Sequence, residues 1–381
     1  MAEFRGLHLL ARIARPGPAR RELRAYGMKL GPLWLTLLSA LLVPGSLSAV
    51  RHQPGEPRRV LLWTSHPCTT HWPWPTKCNS TMLASFLQYL APLRGVVDRV
   101  AVNGYYLADP NGSDVAQSGG VVRLGEDLPA IVAALQQAGF EVEPLVGNGP
   151  PMRYPPPGSL PQQVGSSIDR FRPYLRPALR AGLARAFAAE VAALNLSGLN
   201  FDFEFSDCGP DCSSAPHCGR TGSARCNTTT DGAGLNELIT ETQRLLAKMG
   251  ARLSVDVGQC PLTWGNWINA SGADALITMG TYYGLDTFST GLEGGLIDFG
   301  SRRLGVGLCP KCLQTQLANR TVDKSDIDAR FGELSKAGVQ EIDVFNLDSN
   351  QPFGTPPWGV SSAEARLWWD AIREWKAADT K

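Results

Sequence analysis

The most informative part of the chain is Ser197-Gly198-Leu199-Asn200-Phe201-Asp202-Phe203-Glu204-Phe205. It is rich in aromatic residues and follows a long Ala/Leu-rich segment with helical spacing, so we predict that it forms a β-strand. Alternate side chains of a strand lie on the same face. One face is wholly apolar and suited to packing against helices: Leu199, Phe201, Phe203 and Phe205. The other face is polar and points into an interior or a cleft: Asn200, Asp202 and Glu204.

The polar face carries two carboxyl groups one pleat apart. In a low-dielectric place such groups repel each other, so one of the pair Asp202 and Glu204 is expected to hold a proton near neutral pH. A protonated carboxyl group beside an ionised one is the arrangement of general acid catalysis. The alternative is a buried structural pair matched to an arginine.

Strand-like and helical patterns alternate along most of the remaining sequence. Eight strands are predicted at 60–64, 96–106, 140–146, 197–205, 252–257, 275–282, 304–308 and 342–347. Helical patterns occur at 82–93, 126–138, 175–194, 235–249, 327–337 and 363–377, whereas the connections on either side of the sixth strand show no clear helix. A doubly wound open sheet competes, but no strand ends in its Gly-x-Gly-x-x-Gly turn. We therefore predict an α/β protein, a single-domain (β/α)8 TIM barrel over residues 60–378.

The N-terminal 49 residues differ in composition from the rest. Residues 1–27 are rich in arginine and almost free of acids, whereas the chain from Met28 contains an apolar run at 33–43 and small residues up to Ala49. This second pattern is typical of a secretory signal peptide. We predict a start at Met28, cleavage near Ala49, a linker at 50–59 and contact with a membrane only during secretion; a type II anchor over 31–50 is the alternative.

Sequons and cysteines agree with the secretory pathway. Six Asn-x-Ser/Thr sequons occur, at Asn79, Asn111, Asn195, Asn227, Asn269 and Asn319, and predict N-glycosylation. The nine cysteines cluster locally, which favours disulfide-held loops. Three clusters are visible: Cys68 with Cys78, Cys309 with Cys312, and a group of four in a Cys-rich loop at 206–233. The group of four is Cys208, Cys212, Cys218 and Cys226. Cys260 belongs to none of these clusters. Zinc binding with His217 and a redox-active Cys309–Cys312 pair are the alternatives.

The charges of the chain point away from two other functions. With 36 Lys and Arg against 35 Asp and Glu, the net charge is +1, which gives no electrostatic case for nucleic acid. The acidic group Asp323, Asp326 and Asp328 is typical of a helix start rather than of a metal site. We expect a monomer, secreted or lysosomal, with no metal and no cofactor.

The fourth predicted strand resembles glycoside hydrolase family 18, the chitinases and their relatives. The motif of that family is Asp-Gly-x-Asp-x-Asp-x-Glu, and this chain keeps its last two acids as Asp202 and Glu204. Ser197 replaces the first Asp, and Asn200 replaces the middle one. Asn at that position also occurs in the lysosomal di-N-acetylchitobiase branch, which the chain most resembles, and the fifth strand at 253–257 is similar to that branch as well.

The resemblance implies hydrolysis of β-linked N-acetylglucosamine glycans with retention, in which the substrate's own acetamido oxygen attacks the anomeric carbon. It makes Glu204 the general acid and Asp202 the residue that orients the acetamido group. Tyr282 would contact that group, and the amide of Asn200 could donate to Asp202 from behind.

Three further residues are candidates for binding the substrate. Asp256 on the fifth strand either points into the barrel as a polar neighbour of the site or sits at a turn. Phe345 stands where the family has a tryptophan beneath the sugar, and Trp358 lies in the following loop; for both, ordinary packing is favoured over a role as the platform for the sugar. The family's Met-x-Tyr-Asp motif also lacks its Asp here, because Tyr283 follows Tyr282. These departures keep two other functions open, a chitinase-like lectin that binds amino-sugar glycans without cleaving them and a structural barrel with vestigial acids.

Overall fold

The computed structural model describes residues 57–64, 78–110, 118–147, 168–203, 230–257, 271–282, 285–316, 322–345 and 360–378. Several sequence predictions lie outside these residues. They are the N-terminal extension and signal peptide, most of the Cys-rich loop, Glu204, Trp358 and four of the six sequons.

Ten strands in the described part of the chain form one sheet. They are β1 (Arg59–Thr64), β2 (Arg99–Leu107), β3 (Val121–Arg123), β4 (Glu141–Val142), β5 (Leu145–Gly147), β6 (Gly198–Asp202), β7 (Arg252–Val257), β8 (Ala275–Thr278), β9 (Leu304–Leu308) and β10 (Glu341–Phe345). The pairing order is β1-β10-β9-β8-β7-β6-β5-β2, and β1 also pairs with β2, so the sheet closes on itself. Both β4 and β5 pair in parallel with β2 and together take the third position of the barrel. The predicted eight-position parallel barrel is therefore confirmed.

Helices lie in most of the connections between these strands, whereas most of the connection from β7 to β8 is outside the described residues. They are α1 (Ser80–Leu90), α2 (Leu128–Gln137), α3 (Ile168–Leu175), α4 (Pro177–Leu194), α5 (Thr230–Ala247), α6 (Leu285–Phe299), α7 (Pro310–Gln316), α8 (Lys324–Ala337) and α9 (Ser362–Ala377), with 3-10 turns at Ala91–Leu93 and Met279–Thr281. Helix α8 begins with a capping box formed by Asp323 and Asp326, as the acidic group at 323–328 predicted. Among the described residues, no helix is long and apolar enough to cross a membrane.

Several elements differ from the sequence prediction: helices α3 and α7 were not predicted, the third strand is divided into β4 and β5, and the sixth ends at Thr278 rather than at residue 282. The short β3 pairs antiparallel with the end of β2 and was not predicted. Helix α6 occupies the connection from β8 to β9, where the sequence shows no clear helix because glycines lower helix propensity. These glycines permit close packing, since a Cβ at Gly291 would lie 2.8 Å from the backbone of Gly280, and one at Gly295 would lie 2.6 Å from the side chain of Leu304.

The apolar face of β6 packs against helices, as its alternation predicts. Leu199, Phe201 and Phe203 are almost fully buried. The ring centroid of Phe201 lies 4.9 Å from that of Phe187 on α4, and the centroid of Phe203 lies 4.9 Å from that of Phe171 on α3. Burial of each such side chain stabilises the fold by about 1.5–3 kcal/mol, so this face fixes the orientation of the strand.

The described cysteines are disulfide-bonded. Cys309 at the end of β9 is joined to Cys312 on α7, which confirms the predicted local bridge. Cys78 also takes part in a disulfide, and its predicted partner Cys68 lies outside the described residues. No group of three or more His, Cys, Asp or Glu side chains in the described part of the chain is placed to hold a metal ion.

Candidate active site at the carboxyl end of the barrel

The polar face of β6 meets the polar face of β7 inside the barrel. Asn200 is fully buried, and its amide nitrogen donates to Ser254 Oγ at 3.0 Å and to Asp256 Oδ1 at 3.2 Å. An amide nitrogen carries two hydrogens. Both are therefore directed at β7, so the structure differs from the expectation that this amide donates to Asp202.

Asp202 and Asp256 occupy neighbouring positions on β6 and β7. The two strands pair with Asn200 beside Ser254 and Phe201 beside Val255, so the next pair in the register is Asp202 beside Asp256. Asp256 is 5% exposed, and Asp202 is half-buried at the last position of its strand. The structure thus brings two predicted carboxyl groups and Asn200 together near the carboxyl ends of adjacent strands, where active sites of such barrels lie.

Three aromatic rings form a row near the carboxyl ends of other barrel strands. Its members are Trp63 at the end of β1, Phe345 at the end of β10 and Tyr282 after the 3-10 turn Met279–Thr281. The ring centroids of Trp63 and Phe345 lie 5.8 Å apart, edge to face, and those of Phe345 and Tyr282 lie 6.1 Å apart, nearly parallel. Phe345 is half-buried, whereas Trp63 and Tyr282 are buried and pack with Cys309. Of the three rings, Phe345 is therefore the one with partly exposed apolar surface at this end of the barrel.

Four charged side chains form an ion cluster at the amino-terminal end of the barrel, the end opposite the candidate site. Arg99 Nη1 lies 2.8 Å from both carboxylate oxygens of Glu143, and Arg99 Nη2 lies 2.7 Å from Glu341 Oε1. Arg252 Nη2 lies 3.0 Å from Glu341 Oε2. Arg99 and Glu143 are fully buried. The sequence analysis did not identify the ion cluster, whose two arginines and two glutamates balance in charge.

Hydrogen bonds connect the candidate site with the ion cluster. The hydroxyl of Ser254 accepts from Asn200 and lies 3.4 Å from Glu143 Oε2, to which it can donate. A continuous polar chain therefore runs from Asp256 through Asn200 and Ser254 to Glu143. Because every member is buried, this chain holds Asn200 in one orientation behind Asp202.

Asp343 is an additional acid in the same interior. It is 1% exposed, and neither carboxyl oxygen has a hydrogen-bond partner among the described residues. Burial raises the pKa of Asp343 well above its usual value, and the charge of Glu341 raises it further. Burial would also raise the pKa of Glu341, but the charges of Arg99 and Arg252 outweigh burial and lower it to about 2. The two arginines thus favour the ionised form of Glu341, whereas burial and the nearby charge of Glu341 favour the protonated form of Asp343.

Replacing Asp343 by Asn should flatten the dependence of stability on pH. Because the folded-state pKa lies above the unfolded value of about 3.9, the stabilisation is fully present below that value and is lost as pH rises toward the folded pKa. Asn is isosteric with the protonated acid and does not ionise. Wild type should lose about 1.4 kcal/mol of stability for each pH unit between the unfolded and the folded pKa of Asp343. Asp343→Asn does not have this loss, so we expect it to be the more stable protein at pH 8.

Urea denaturation from pH 4 to pH 8 measures this difference. Asp370→Asn is the matched control, because Asp370 is exposed on α9 and should leave the slope unchanged. If Asp343→Asn kept the slope of the wild type, Asp343 would be ionised in the folded protein.

The chain matches known proteins in structure but not in sequence. No protein-family model matches the chain, and no curated protein matches it significantly. The chitinase of Chromobacterium violaceum aligns with a TM-score of 0.51 and 13% identity, over 84% of this chain and 99% of that one. Catalytic domain 2 of the Ostrinia furnacalis Group II chitinase aligns with a TM-score of 0.53 and 12% identity, over 84% and 97%. The chain has the chitinase fold.

Two further structures extend this likeness. The spore cortex-lytic enzyme SleL of Bacillus megaterium aligns with a TM-score of 0.54 and 10% identity, over 84% of this chain and 75% of that one. A point variant of the Ostrinia furnacalis domain, which aligns with the same TM-score and coverage as that domain, was solved in complex with (NAG)5. The predicted resemblance to chitinases is therefore confirmed at the level of the fold.

The chitinase-fold barrel brings most of the predicted site residues to one end. Asn200, Asp202 and Asp256 lie on β6 and β7, and Tyr282 and Phe345 belong to the aromatic row. Glu204 and Trp358 lie outside the described residues. Sequence reasoning missed three interior residues, Trp63, Ser254 and Asp343. The signal for Asp343 is its alternation with apolar residues in Glu341-Ile342-Asp343-Val344-Phe345, the same pattern that identified β6.

Proposed function

We propose that the protein is a glycoside hydrolase that cleaves β-linked N-acetylglucosamine-containing glycans. The observation that carries the proposal is the position of Asp202. It lies at the end of the fourth barrel strand with the polar face toward the interior, while Phe203 packs on the helices. A carboxyl group at this end of a barrel that shares its fold with chitinases is placed for work on a sugar.

The proposed mechanism uses two carboxyl groups and no metal or cofactor. The acetamido oxygen of the substrate attacks the anomeric carbon, and the bond to the leaving oxygen breaks as Glu204 donates its proton to that oxygen. Asp202 accepts a hydrogen bond from the acetamido N–H and so orients the attacking oxygen. Glu204 then removes a proton from water, which opens the cyclic intermediate from the face that the leaving group occupied. The product retains the configuration of the substrate.

The surrounding residues support these two acids. The polar chain from Asp256 to Glu143 keeps Asn200 fixed behind Asp202. In the proposal the hydroxyl of Tyr282 donates to the acetamido oxygen, and Phe345 offers its half-exposed ring to the face of the sugar, together with Trp358.

The proposed location of the protein is the secretory pathway, with delivery to the lysosome or to the outside of the cell. Asn79 begins α1 and Asn195 ends α4, and both are exposed. Exposure of both asparagines is compatible with N-glycosylation at these two sequons.

A second candidate is a lectin that binds amino-sugar glycans without cleaving them. Two sequence departures favour it, Tyr283 in place of an Asp after Tyr282 and Phe345 in place of a tryptophan. Phe345 still presents an aromatic surface, so a sugar could be bound while the acids work poorly.

Incubation with N-acetylglucosamine oligomers and N-glycan cores separates these functions. The purified protein should release shorter sugars, read by mass spectrometry, and calorimetry should report binding of the same oligomers. Binding without release would favour the lectin. Neither binding nor release would refute both candidates and favour a structural barrel.

A further inference from the structure

Tyr282 does not lie on a strand, although the sequence predicted a strand over residues 275–282. The strand ends at Thr278, and the chain then makes the 3-10 turn Met279–Thr281. The hydroxyl oxygen of Thr278 accepts from the backbone N–H of Gly280 at 3.2 Å, and the N–H of Tyr282 donates to the carbonyl of Met279 at 3.1 Å. The direction of the Tyr282 ring is therefore set by this turn, and whatever holds the turn also holds the ring.

The turn is held from two sides by its neighbours. The hydroxyl oxygen of Thr281 lies 2.8 Å from the carbonyl oxygen of Thr278 and 2.7 Å from that of Gly307 on β9. On the other side, α6 approaches so closely that a Cβ at Gly291 would lie 2.8 Å from the carbonyl group of Gly280. These contacts fix the position of the turn relative to β9 and to α6.

A buried cation adds a third contact. Arg330 on α8 is 1% exposed, its Nη1 donates to the carbonyl of Thr281 at 3.2 Å, and its guanidinium lies 4.6 Å from the ring centroid of Phe288 on α6. Burial lowers the pKa of Arg330 to about 10, although Asp326 and Glu333 act to raise it. A cation that is costly to bury thus reaches the carbonyl immediately before Tyr282.

The Tyr282 ring has little room to adjust if the turn moves. A Cβ at Gly307 would lie 2.6 Å from Tyr282 Cε1, so the ring rests directly on the backbone of β9. Another neighbour is the Phe345 ring, which is nearly parallel to it. A displacement of the turn by a few tenths of an ångström therefore moves the hydroxyl of Tyr282 relative to the mouth of the barrel.

We propose that Arg330 is a positioning residue, which holds the turn Met279–Thr281 and through it sets the place of the Tyr282 hydroxyl for an N-acetylglucosamine unit. The claim that the Tyr282 hydroxyl binds the sugar rests on the proposed function. The claim that Arg330 positions Tyr282 does not rest on it, so the two claims are tested by separate measurements.

The first measurement reports the surroundings of Tyr282 without any sugar. The eight tyrosines are replaced by 3-fluorotyrosine, and the ¹⁹F resonance of Tyr282 is assigned by its loss in Tyr282→Phe. We expect this resonance to shift or broaden in Arg330→Met and also in Thr281→Val, which removes only the hydroxyl contacts of the turn. An unchanged resonance in folded Arg330→Met would overturn the proposal.

The control is another arginine that binds backbone carbonyls at the opposite end of the barrel. Arg303, just before β9, donates to the carbonyl of Ala273 at 3.2 Å and to that of Ser271 at 2.8 Å. Arg303→Met removes the same kind of contact and should lower stability, yet the Tyr282 resonance should not change. A change in both arginine variants would mean that the signal reports loss of stability and not the position of Tyr282.

The second measurement is binding of an N-acetylglucosamine trimer by calorimetry, at a temperature where all variants are folded. We expect roughly tenfold weaker binding in Arg330→Met, unchanged binding in Arg303→Met, and no further loss when Arg330→Met is added to Tyr282→Phe. If wild type does not bind, the proposed function fails while the ¹⁹F result still decides the positioning role. If wild type binds and the losses simply add, Arg330 does not act through Tyr282.

Discussion

The Glu204→Gln protein should bind N-acetylglucosamine oligomers nearly as wild type does and lose turnover by about 10²–10⁴-fold, the range of general acid catalysis. Gln keeps the size of the side chain but has no proton of the required acidity to give to the leaving oxygen. The loss should therefore fall on kcat and not on binding, as happens when an interaction made only in the transition state is removed.

The alternation of β6 supports the general-acid role of Glu204. Leu199, Phe201 and Phe203 all pack on the helices, and the side chain of Asn200 points to the interior. The same alternation predicts that Glu204 follows Asp202 on the polar side, at the open end of the barrel.

Kinetics with an oligomer substrate and calorimetry on the same preparations measure the effect. The control is Glu293→Gln, the same chemical change at an exposed position of α6, which should leave kcat within a factor of about two. Turnover retained by Glu204→Gln would contradict the assignment of the general acid. A parallel loss of binding would mean that Glu204 also holds the sugar in the ground state.

The Arg99→Met protein should be less stable than wild type by about 3–5 kcal/mol, the usual cost of breaking a buried ion pair from one side. Arg99 contacts both Glu143 and Glu341 in the buried ion cluster. Its removal leaves Glu143 without the guanidinium that it contacts on two oxygens. Urea denaturation at pH 7 measures the loss, and a change below about 1 kcal/mol would contradict the role given to the ion cluster.

Replacing the partners together is the matched control. Arg99→Met combined with Glu143→Leu removes the fully buried pair as a unit and leaves Glu341 paired with Arg252 at 3.0 Å. We expect much of the lost stability to return, because buried ion pairs exchanged as a unit for apolar groups are often neutral or stabilising. If this combination is no better than Arg99→Met, packing volume and not charge explains the loss.

The ion cluster should make the stability of wild type fall at acidic pH, because Glu341 is protonated there. The folded-state pKa of Glu341 is lowered to about 2, below the unfolded value of about 4.3. This stabilisation is present above the unfolded value and is lost as pH falls from about 4.3 toward 2. In Arg99→Met, stability should fall much less between about pH 4.3 and pH 2, because Arg99 is the main charge that lowers the pKa of Glu341. In Asp343→Asn, stability should fall over this range as it does in wild type.

The barrel was predictable from sequence where local patterns carry the information. The alternation of β6 predicted both of its faces, and β7 and β9 were predicted at the residues that the structure gives them. Helix α6 was not predicted, because Gly291 and Gly295 weaken a local helical pattern and are explained only by the backbone and side chains that they pack against.

The interior of the barrel was much less predictable. Arg99, Arg252 and Glu341 lie on three strands far apart in the chain, and Glu143 lies between β4 and β5, so only closure of the sheet places them in one ion cluster. The same holds for the hydrogen bonds of Asn200, whose amide was expected to serve Asp202 on its own strand. Tyr282 was assigned to the end of a strand, but tertiary contacts from α6, α8 and β9 select a 3-10 turn there.

A crystal structure of the Glu204→Gln protein with an N-acetylglucosamine tetramer tests the central claim most directly. The account predicts the sugar across the carboxyl ends of the strands, with one acetamido group within hydrogen-bond distance, about 2.7–3.2 Å, of both the Asp202 carboxylate and the Tyr282 hydroxyl. The side chain at position 204 should lie beside the glycosidic oxygen. A sugar bound away from this mouth, or a side chain at position 204 turned toward the helices, would contradict it.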